Sequence, residues 1–374
     1  MLLVQYTLIY TIVLVLVALG GMFAERSGVI NLGLEGIMVI GALVGSIVSS
    51  MLIKAGTDPT IILIVSILSS IVAGLLFSML LGVACITFKA DQTLVGTALN
   101  IMSTALAVVV ARSYTKTPSS QIEYQSSIYK NPLEINSTII IVFLAIVLLV
   151  CALIVGVSKY LEVKHNRKLF NLKSNKFFNI YTICLGVGVV DLILIVLTII
   201  FPQENPFIVE TSCFLPMALI AVIISYLYLF KTKFGMRLMA CGEHPQAAAS
   251  AGINVFTQRY IGVGVSGVLA GLGGFAYIVQ SAGVWDFKYG VAGFGFLALA
   301  VMIFGQWKPV RILFAALIFG LCQTASVLYA GSFGIPQFVY KMLPYVVCMV
   351  VLVMTSKKSR APKAEGQPYD KGKR

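Results

Sequence analysis

The sequence LVQYTLIYTIVLVLVALGGM, residues 3–22, is twenty residues long and has no charged side chain. A bilayer core about 30 Å thick needs roughly 20 apolar residues per helical crossing, so this segment is long enough to span a membrane. Comparable runs recur, such as IIIVFLAIVLLVCALIVGV at 139–157. Backbone groups must be paired inside hydrocarbon, and barrel strands would alternate at every second residue, so these runs predict membrane helices rather than a β-barrel.

The composition of the whole chain agrees with a membrane protein. Of its 374 residues, 59% are hydrophobic and only 11% are charged, which excludes an ordinary water-soluble protein of this size. The predicted fold class is an all-α, polytopic transmembrane bundle with about 10–11 spans. The predicted spans are 3–22, 30–53, 61–88, 94–112, 138–159, 178–201, 211–230, 260–281, 292–306, 311–330 and 337–355. GxxxG spacings at 41–45 and 267–271 predict close helix packing.

The distribution of charge predicts the orientation. The net charge is +13, and positive residues concentrate in the tail 356–374 and in the loop 159–176. Under the positive-inside rule both segments are cytoplasmic, and an odd number of spans then places the N-terminus outside. We expect the basic tail to be disordered and either to set orientation or to touch anionic lipid, with no role for nucleic acid. The first charges, Glu25 and Arg26, follow a full-length run, which predicts a retained helix rather than a cleaved signal peptide.

Two stretches do not fit plain spans joined by short turns. In the predicted cytoplasmic loop 231–259, Pro245 precedes an alanine-rich segment that ends at Gly252, which predicts a short helix and a contact with another molecule. An ordinary packed loop is the alternative. Residues 20–36, GGMFAERSGVINLGLEG, combine glycines with polar side chains, which indicates irregular backbone near a central pathway or its entrance. The alternative there is a tight turn between two helices.

Several classes of function lack their motifs. The chain has no GxxxxGK[ST] phosphate loop, no HExxH and no GxSxG, so the sequence predicts no catalytic residues and no ATP hydrolysis by this chain. Its seven cysteines are scattered without CxxC spacing, which predicts no metal site. A secondary transporter or channel remains an alternative, although few ionisable residues lie within the predicted spans.

Four motifs in order resemble the permeases of nucleoside and simple-sugar ABC importers, with the nucleoside subgroup most similar. They are GGMFAERSGVINLGLEGIMVIGA at 20–42, DQTLVGTALNIMSTAL at 91–106, FGMRLMACGEHPQAAASAGINV at 234–255 and GFGFLALAVMIFGQWKP at 293–309. The resemblance implies a type II ABC importer-like permease that translocates nucleosides across the bacterial cytoplasmic membrane. Simple sugars such as ribose are the alternative substrate.

The resemblance also implies partners and residue roles. The expected partners are a second, related permease, a cytoplasmic ATPase with two nucleotide-binding halves that holds ATP and magnesium, and an extracytoplasmic solute-binding lipoprotein. No cofactor is expected in this chain itself. The segment that couples to the ATPase would include Gly242, Glu243, His244, Pro245, Ala247 and Ala248. Candidates for the translocation pathway are Asn31, Glu35 and Asn100.

The sequence departs from the family pattern at about 119–210. The resemblance implies one external segment here, whereas the sequence predicts two further helices joined by the basic loop 159–176. Two additional crossings preserve the orientation of everything downstream. The predicted organisation is therefore a transmembrane permease domain, 1–355, containing this insertion and the cytoplasmic coupling loop 231–259, followed by a basic cytoplasmic tail, 356–374.

Overall fold

A computed structural model describes residues 2–116, 121–123, 126–135, 207–282, 284–286, 290–330, 337–355 and 361–370. The chain divides into two units, Met1–Asn131 with Thr211–Arg374 and Pro132–Glu210. The predicted spans 138–159 and 178–201 and the basic loop 159–176 lie outside the described residues. All the helices that the structure describes and the candidate site residues belong to the first unit.

The described part of the first unit consists almost entirely of helices. Before the second unit they are α1 (Leu2–Arg26), α2 (Leu34–Lys54), α3 (Pro59–Gly82), which continues as a π-helical turn (Val83–Thr87), and α4 (Gln92–Thr115). After it come α5 (Phe214–Lys231), α6 (Lys233–Glu243), α7 (Pro245–Ser250), α8 (Val255–Tyr277) with a π-helical turn (Ile278–Ala282), α9 (Phe294–Phe304), α10 (Pro309–Leu328) and α11 (Gln337–Thr355).

Four short strands accompany these helices in the described residues. They are β1 (Ile122–Glu123), β2 (Lys130–Ile135), β3 (Phe207–Ser212) and β4 (Val284–Trp285), with a 3-10 turn at Ser126–Tyr129. β1 pairs with β4 in antiparallel register, and β2 pairs with β3. The strands are too short to change the class of the fold, and the prediction of a polytopic helical bundle is confirmed.

Seven helices in the described ranges are long and apolar enough to cross a bilayer, namely α1, α2, α3, α4, α5, α8 and α10. The predicted span 292–306 differs, because its helix α9 has only eleven residues. At 1.5 Å per residue α9 is about 16 Å long, roughly half of a hydrocarbon core. The preceding residues 290–293 form a turn in which Ala292 and Gly293 both have positive φ, so a helix cannot extend further back.

Three helices form the centre of the bundle. In α1, 94% of the spanning residues are buried, and α8 and α2 follow, whereas in α4 and α5 only 28% are buried. The exposed side chains of the outer helices are large and apolar, for example Leu76 on α3, Ile101 on α4 and Ile224 on α5. An apolar exterior around a packed interior is what lipid as the surrounding solvent requires.

Glycines allow α2, α3 and α8 to approach each other at backbone distance. A Cβ atom built on Gly41 would lie 2.5 Å from Gly271 Cα, and one built on Gly271 would lie 2.6 Å from the Ser70 carbonyl oxygen. Gly74 meets Gly267 and Gly271 in the same way. Real Cβ atoms do not come this close to backbone, so these positions accept only glycine. The close packing predicted from the spacings at 41–45 and 267–271 is confirmed.

The expectation of a disordered tail is wrong for residues 361–370. This segment docks on the bundle beside the turn that joins α1 to α2: the Ala364 N–H donates to the Gly242 carbonyl at 2.9 Å, and Tyr369 is buried. The prediction of disorder considered only the charged residues of this segment. Ala364 and Tyr369 supply apolar surface, and burial of that surface fixes the chain.

Candidate coupling segment and pathway residues

Helices α6 and α7 form a compact unit at the end of the bundle where α1 turns into α2. The Thr232 hydroxyl accepts from the Gly235 N–H at 3.2 Å and caps α6. Pro245 occupies the first turn of α7, and Gly252, with φ of 80°, follows its end. The predicted short helix after Pro245 is confirmed, as is its termination at Gly252.

The two faces of α7 have different environments. Pro245 and Ala248 are buried, and Ala248 joins a small apolar cluster with Cys241, Val255 and Tyr369. Burial raises the pKa of the Cys241 thiol above its usual value. On the other face Gln246, Ala247 and Ser250 are exposed, as are Glu243 and His244 just before α7. The helix therefore has a fixed base and a free outer surface.

The base of this segment rests directly on the α1–α2 turn. A Cβ atom on Gly242 would collide with the Arg26 carbonyl oxygen, and it would lie 3.2 Å from the Gly28 nitrogen. Gly28 itself has φ of 95°, a conformation that strains other residues. Two of the sequence motifs, 234–255 and 20–42, therefore meet backbone to backbone. The end of α6 is thus in backbone contact with the last turn of α1.

The predicted pathway residues Asn31 and Asn100 hold the turn that begins α2. Asn31 is fully buried; its Nδ2 donates to Ser266 Oγ at 2.8 Å, and its Oδ1 accepts from the Gly33 N–H at 3.1 Å. Asn100 Oδ1 accepts from the Gly36 N–H at 2.8 Å, and its Nδ2 donates to the Leu32 carbonyl at 2.8 Å. Both amides satisfy backbone or side-chain groups that burial would otherwise leave unpaired.

The third pathway candidate, Glu35, positions the short helix α9. Its two carboxylate oxygens accept from the Gly293 N–H at 2.9 Å and from the Gly295 N–H at 2.6 Å. These donors lie at the start of α9, where the helix leaves its first N–H groups unpaired and carries partial positive charge. Asn31 and Glu35 thus lie in the segment 31–36 and bond to α8 and α9, and Asn100 bonds to the same segment from α4.

A groove elsewhere in the bundle is unsuited to a polar solute. It has a volume of 740 Å³, lies between α3, α5 and α8, and is lined almost wholly by apolar side chains such as Leu75, Ile220 and Val268. Hydroxyl groups contribute little of its surface. It does not contain any of the three predicted pathway residues.

Comparison with known proteins decides the family. The family described as "Branched-chain amino acid transport system / permease component" matches residues 3–160 and 169–353. The chain belongs to this family. Members of this family are permease components of transport systems. The expectation that this chain is a transport subunit is therefore confirmed.

Individual relatives match over nearly the whole chain. The guanosine ABC transporter permease protein NupQ of Bacillus subtilis is 34% identical over 99% of this chain and 97% of its own length. The nucleoside ABC transporter permease protein NupC of Lactococcus lactis is 33% identical over 98% of this chain and 96% of its own. From the same organism, the permease protein NupB is 31% identical over 40% of this chain and 41% of its own. No solved structure matches.

One polar cluster of the permease was missed by sequence reasoning. Trp307 Nε1 donates to Glu25 Oε2 at 2.5 Å, and Arg26 Nη2 donates to the Trp307 carbonyl at 3.0 Å. Gln306 and Trp307 both have φ of 53°, unusual for residues other than glycine. The only signal in the sequence was the position of Glu25, Arg26 and Trp307 inside two family motifs. The cluster ties the last turn of α1 to the α9–α10 connection.

Replacing Glu35 with alanine should destabilise the permease. The change leaves the Gly293 and Gly295 N–H groups without acceptors in a largely buried place, which we expect to cost about 2–4 kcal/mol of unfolding free energy. The measurement is the thermal unfolding midpoint in detergent. Glu35→Gln retains one acceptor oxygen and should lie between wild type and Glu35→Ala; equal midpoints for all three proteins would contradict the capping role.

Proposed function

We propose that this permease is the membrane-spanning subunit of an ATP-driven importer of nucleosides. The support for nucleosides is the similarity to NupQ and NupC, whose names give guanosine and nucleoside as their solutes. The support for an ATP-driven mechanism is that both are ABC transporter permeases, together with the fold described above. The solute undergoes no reaction, and the energy for transport comes from ATP hydrolysis by a separate subunit.

The observation that carries the mechanism is the exposed face of α7 on its fixed base. Glu243, His244 and Ala247 project from a segment whose inner side is packed on α1 and α8. We propose that this face, with Gly242, Pro245 and Ala248 as its scaffold, engages a separate cytoplasmic ATPase that binds ATP and magnesium in two nucleotide-binding halves. Closure of those halves then displaces α6 and α7 and, through Arg26 and Gly28, the last turn of α1.

The remaining partners and the orientation follow from the same proposal. A second, related permease completes the transmembrane pair, as the co-occurrence of NupB and NupC in one organism suggests. An extracytoplasmic lipoprotein delivers the solute. The permease lies in the bacterial cytoplasmic membrane with its N-terminus outside and with α6, α7 and the tail in the cytoplasm, as the distribution of basic residues favours.

Asn31, Glu35 and Asn100 shape the pathway wall in this proposal. Their polar atoms bond to protein in the described conformation. They therefore hold the irregular backbone of 31–36 and the start of α9 in place. Contact with solute requires exchange of one of these hydrogen bonds during the transport cycle.

Uptake measurements test the proposed function. Cells with and without the gene would be assayed for radiolabelled nucleosides and for ribose, each competed with the other solute class and each with and without depletion of ATP. We expect loss of ATP-dependent nucleoside uptake alone. Loss of ribose uptake alone would move the permease to simple sugars, uptake that survives ATP depletion would favour a secondary transporter or channel, and unchanged uptake of both solutes would overturn the proposal.

A further inference from the structure

Residues 361–370, here called the strap, contact α6, α8, the α1–α2 turn and the α3–α4 connection. The strap touches the end of α6 through Gly242, the start of α8 through Arg259, and the α3–α4 connection through Lys89. Gly366, with φ of 76°, turns the strap beside Ile30 in the α1–α2 turn. A segment that follows the last helix in sequence is therefore inserted among the parts that join α6 and α7 to the bundle.

Hydrogen bonds fix the backbone of the strap at two points. The Ala364 N–H donates to the Gly242 carbonyl at 2.9 Å, and Arg259 Nη1 donates to the Gln367 carbonyl at 2.9 Å. The Arg259 side chain is only 1% exposed, and within the described ranges its Nε and Nη2 have no hydrogen-bond partner. A buried guanidinium that lacks acceptors is costly, so the Gln367 carbonyl is an important contact for this charge.

Tyr369 packs against the inner face of α7. Its side chain is 6% exposed and belongs to the same apolar cluster as Cys241, Ala248 and Val255. Its ring meets the Phe256 ring edge-on, with centroids 5.4 Å apart and an interplanar angle of 66°. An aromatic ring gives a small cluster most of its buried area. Removal of the ring would leave the inner face of α7 without much of its support.

Charged groups complete the attachment of the strap, at its last residue and in its middle. Lys89 Nζ lies 3.1 Å from Asp370 Oδ1, with both side chains nearly half exposed, so this ion pair orients the strap more than it stabilises it. The Glu365 carboxyl forms a hydrogen bond with Glu25, the partner of Trp307. Burial raises the pKa of the Glu365 carboxyl, and its hydrogen bond with Glu25 acts in the opposite direction. The strap thus reaches the cluster that ends α1.

We propose that the strap is a positioning element that holds α7 on the bundle, so that a push on the exposed face of α7 is transmitted to α1 and α8. The strap supports the inner face of α7 through Tyr369, and it binds the end of α6 through the Ala364 N–H. It leaves Glu243, His244 and Ala247 exposed, so it does not compete with an ATPase for that surface. The transmission role rests on the proposed function, whereas the attachment itself does not.

Labelling of Cys241 tests the attachment without any transport assay. In the full-length chain carrying Cys241 as its sole cysteine, we would measure the rate of reaction with a water-soluble maleimide in native membranes opened to both sides. Tyr369→Ala should react several-fold faster than the otherwise identical Tyr369 protein, because the cluster that buries Cys241 loses its ring. Tyr369→Phe keeps the ring and should react at the Tyr369 rate. Equal rates in all three proteins would overturn the proposal.

Uptake per ATP hydrolysed tests the transmission role in the assembled importer. With Tyr369→Ala we expect an unchanged amount of copurified ATPase and a several-fold lower ratio of nucleoside imported to ATP hydrolysed, restored in Tyr369→Phe. Loss of the ATPase from the complex would make the strap part of the docking surface and overturn the positioning role, as would an unchanged ratio. Failure of the proposed function can be told apart from failure of the strap proposal, because in that case even the protein with Tyr369 unchanged would import no nucleoside.

A second variant guards against a general folding defect in Tyr369→Ala. Ala364→Pro removes the N–H that donates to the Gly242 carbonyl and leaves the aromatic ring in place. It should also accelerate labelling of Cys241 and lower the ratio of uptake to hydrolysis. If Cys241 is labelled at the same rate with proline as with alanine at position 364, the hydrogen bond to the Gly242 carbonyl does not attach the strap to α6.

Discussion

Replacing Ala247 with arginine should abolish nucleoside uptake while leaving the permease folded in the membrane. Ala247 is exposed on the outer face of α7, so a long charged side chain there disturbs no internal contact. It would, however, obstruct the surface proposed to meet the ATPase. We expect uptake to fall by more than about tenfold, which corresponds to more than about 1.4 kcal/mol. The measurements are uptake in whole cells, permease abundance in membranes and copurification of the ATPase.

The matched control is Ala55→Arg. Ala55 is also an exposed alanine, but it lies in the α2–α3 connection, outside α6, α7 and the strap. Uptake should remain close to that of the unaltered permease. Deletion of residues 243–248 is a harsher version of the same test and should also abolish uptake with the permease still in the membrane. Normal transport by Ala247→Arg or by the deletion would refute the coupling assignment.

Replacing Gly271 with leucine should prevent the permease from folding. Gly271 lies where α2, α3 and α8 meet, and even a Cβ atom would come within 2.6 Å of the Ser70 carbonyl oxygen and 2.9 Å of Gly74 Cα. Backbone cannot move aside as the end of a side chain can, so the helices must separate and lose their packing. We expect little permease in the monodisperse peak of size-exclusion chromatography in detergent.

Gly264→Leu is the control on the same helix. A Cβ atom on Gly264 would meet only the side-chain ends of Met79 and Leu75, at 3.1 and 3.3 Å, and Gly264 borders the apolar groove between α3, α5 and α8. Leucine can therefore be accommodated there, and we expect a monodisperse protein. Similar losses for both variants would show that α8 tolerates no added volume anywhere, contrary to the specific role assigned to Gly271.

Local signals allowed accurate prediction of α7 and only partial prediction of α1. Pro245 and Gly252 act on their own backbone, and both ends of the short helix follow from them. Gly20 and Gly21 suggested irregular backbone, but α1 continues to Arg26. A Cβ atom on Gly20 would lie 2.9 Å from the Ser266 carbonyl oxygen. These glycines serve close helix packing, a tertiary cause that is not visible along the sequence.

Partners distant in sequence account for most of what the prediction lacked. Glu35 was correctly singled out as unusual, yet its hydrogen-bond partner Gly293 is 258 residues away. The partner of Asn100 is 64 residues away. The prediction that the tail is disordered rested on its average charge. The position of the tail depends instead on a few apolar side chains, of which Tyr369 is the largest. Composition describes how a segment interacts with water but not which protein surface it fits.

The length of α9 has a consequence for how the permease responds to its lipids. Helix α1 has 25 residues, about 38 Å, and must tilt or deform the bilayer when acyl chains are shortened or lengthened. Helix α9, less than half as long, begins at the Glu35 carboxylate, and its C-terminal end leads into the Trp307 cluster. Because α9 is bound to α2 at one end and to α1 at the other, a change in bilayer thickness reaches it only through the movement of those two long helices.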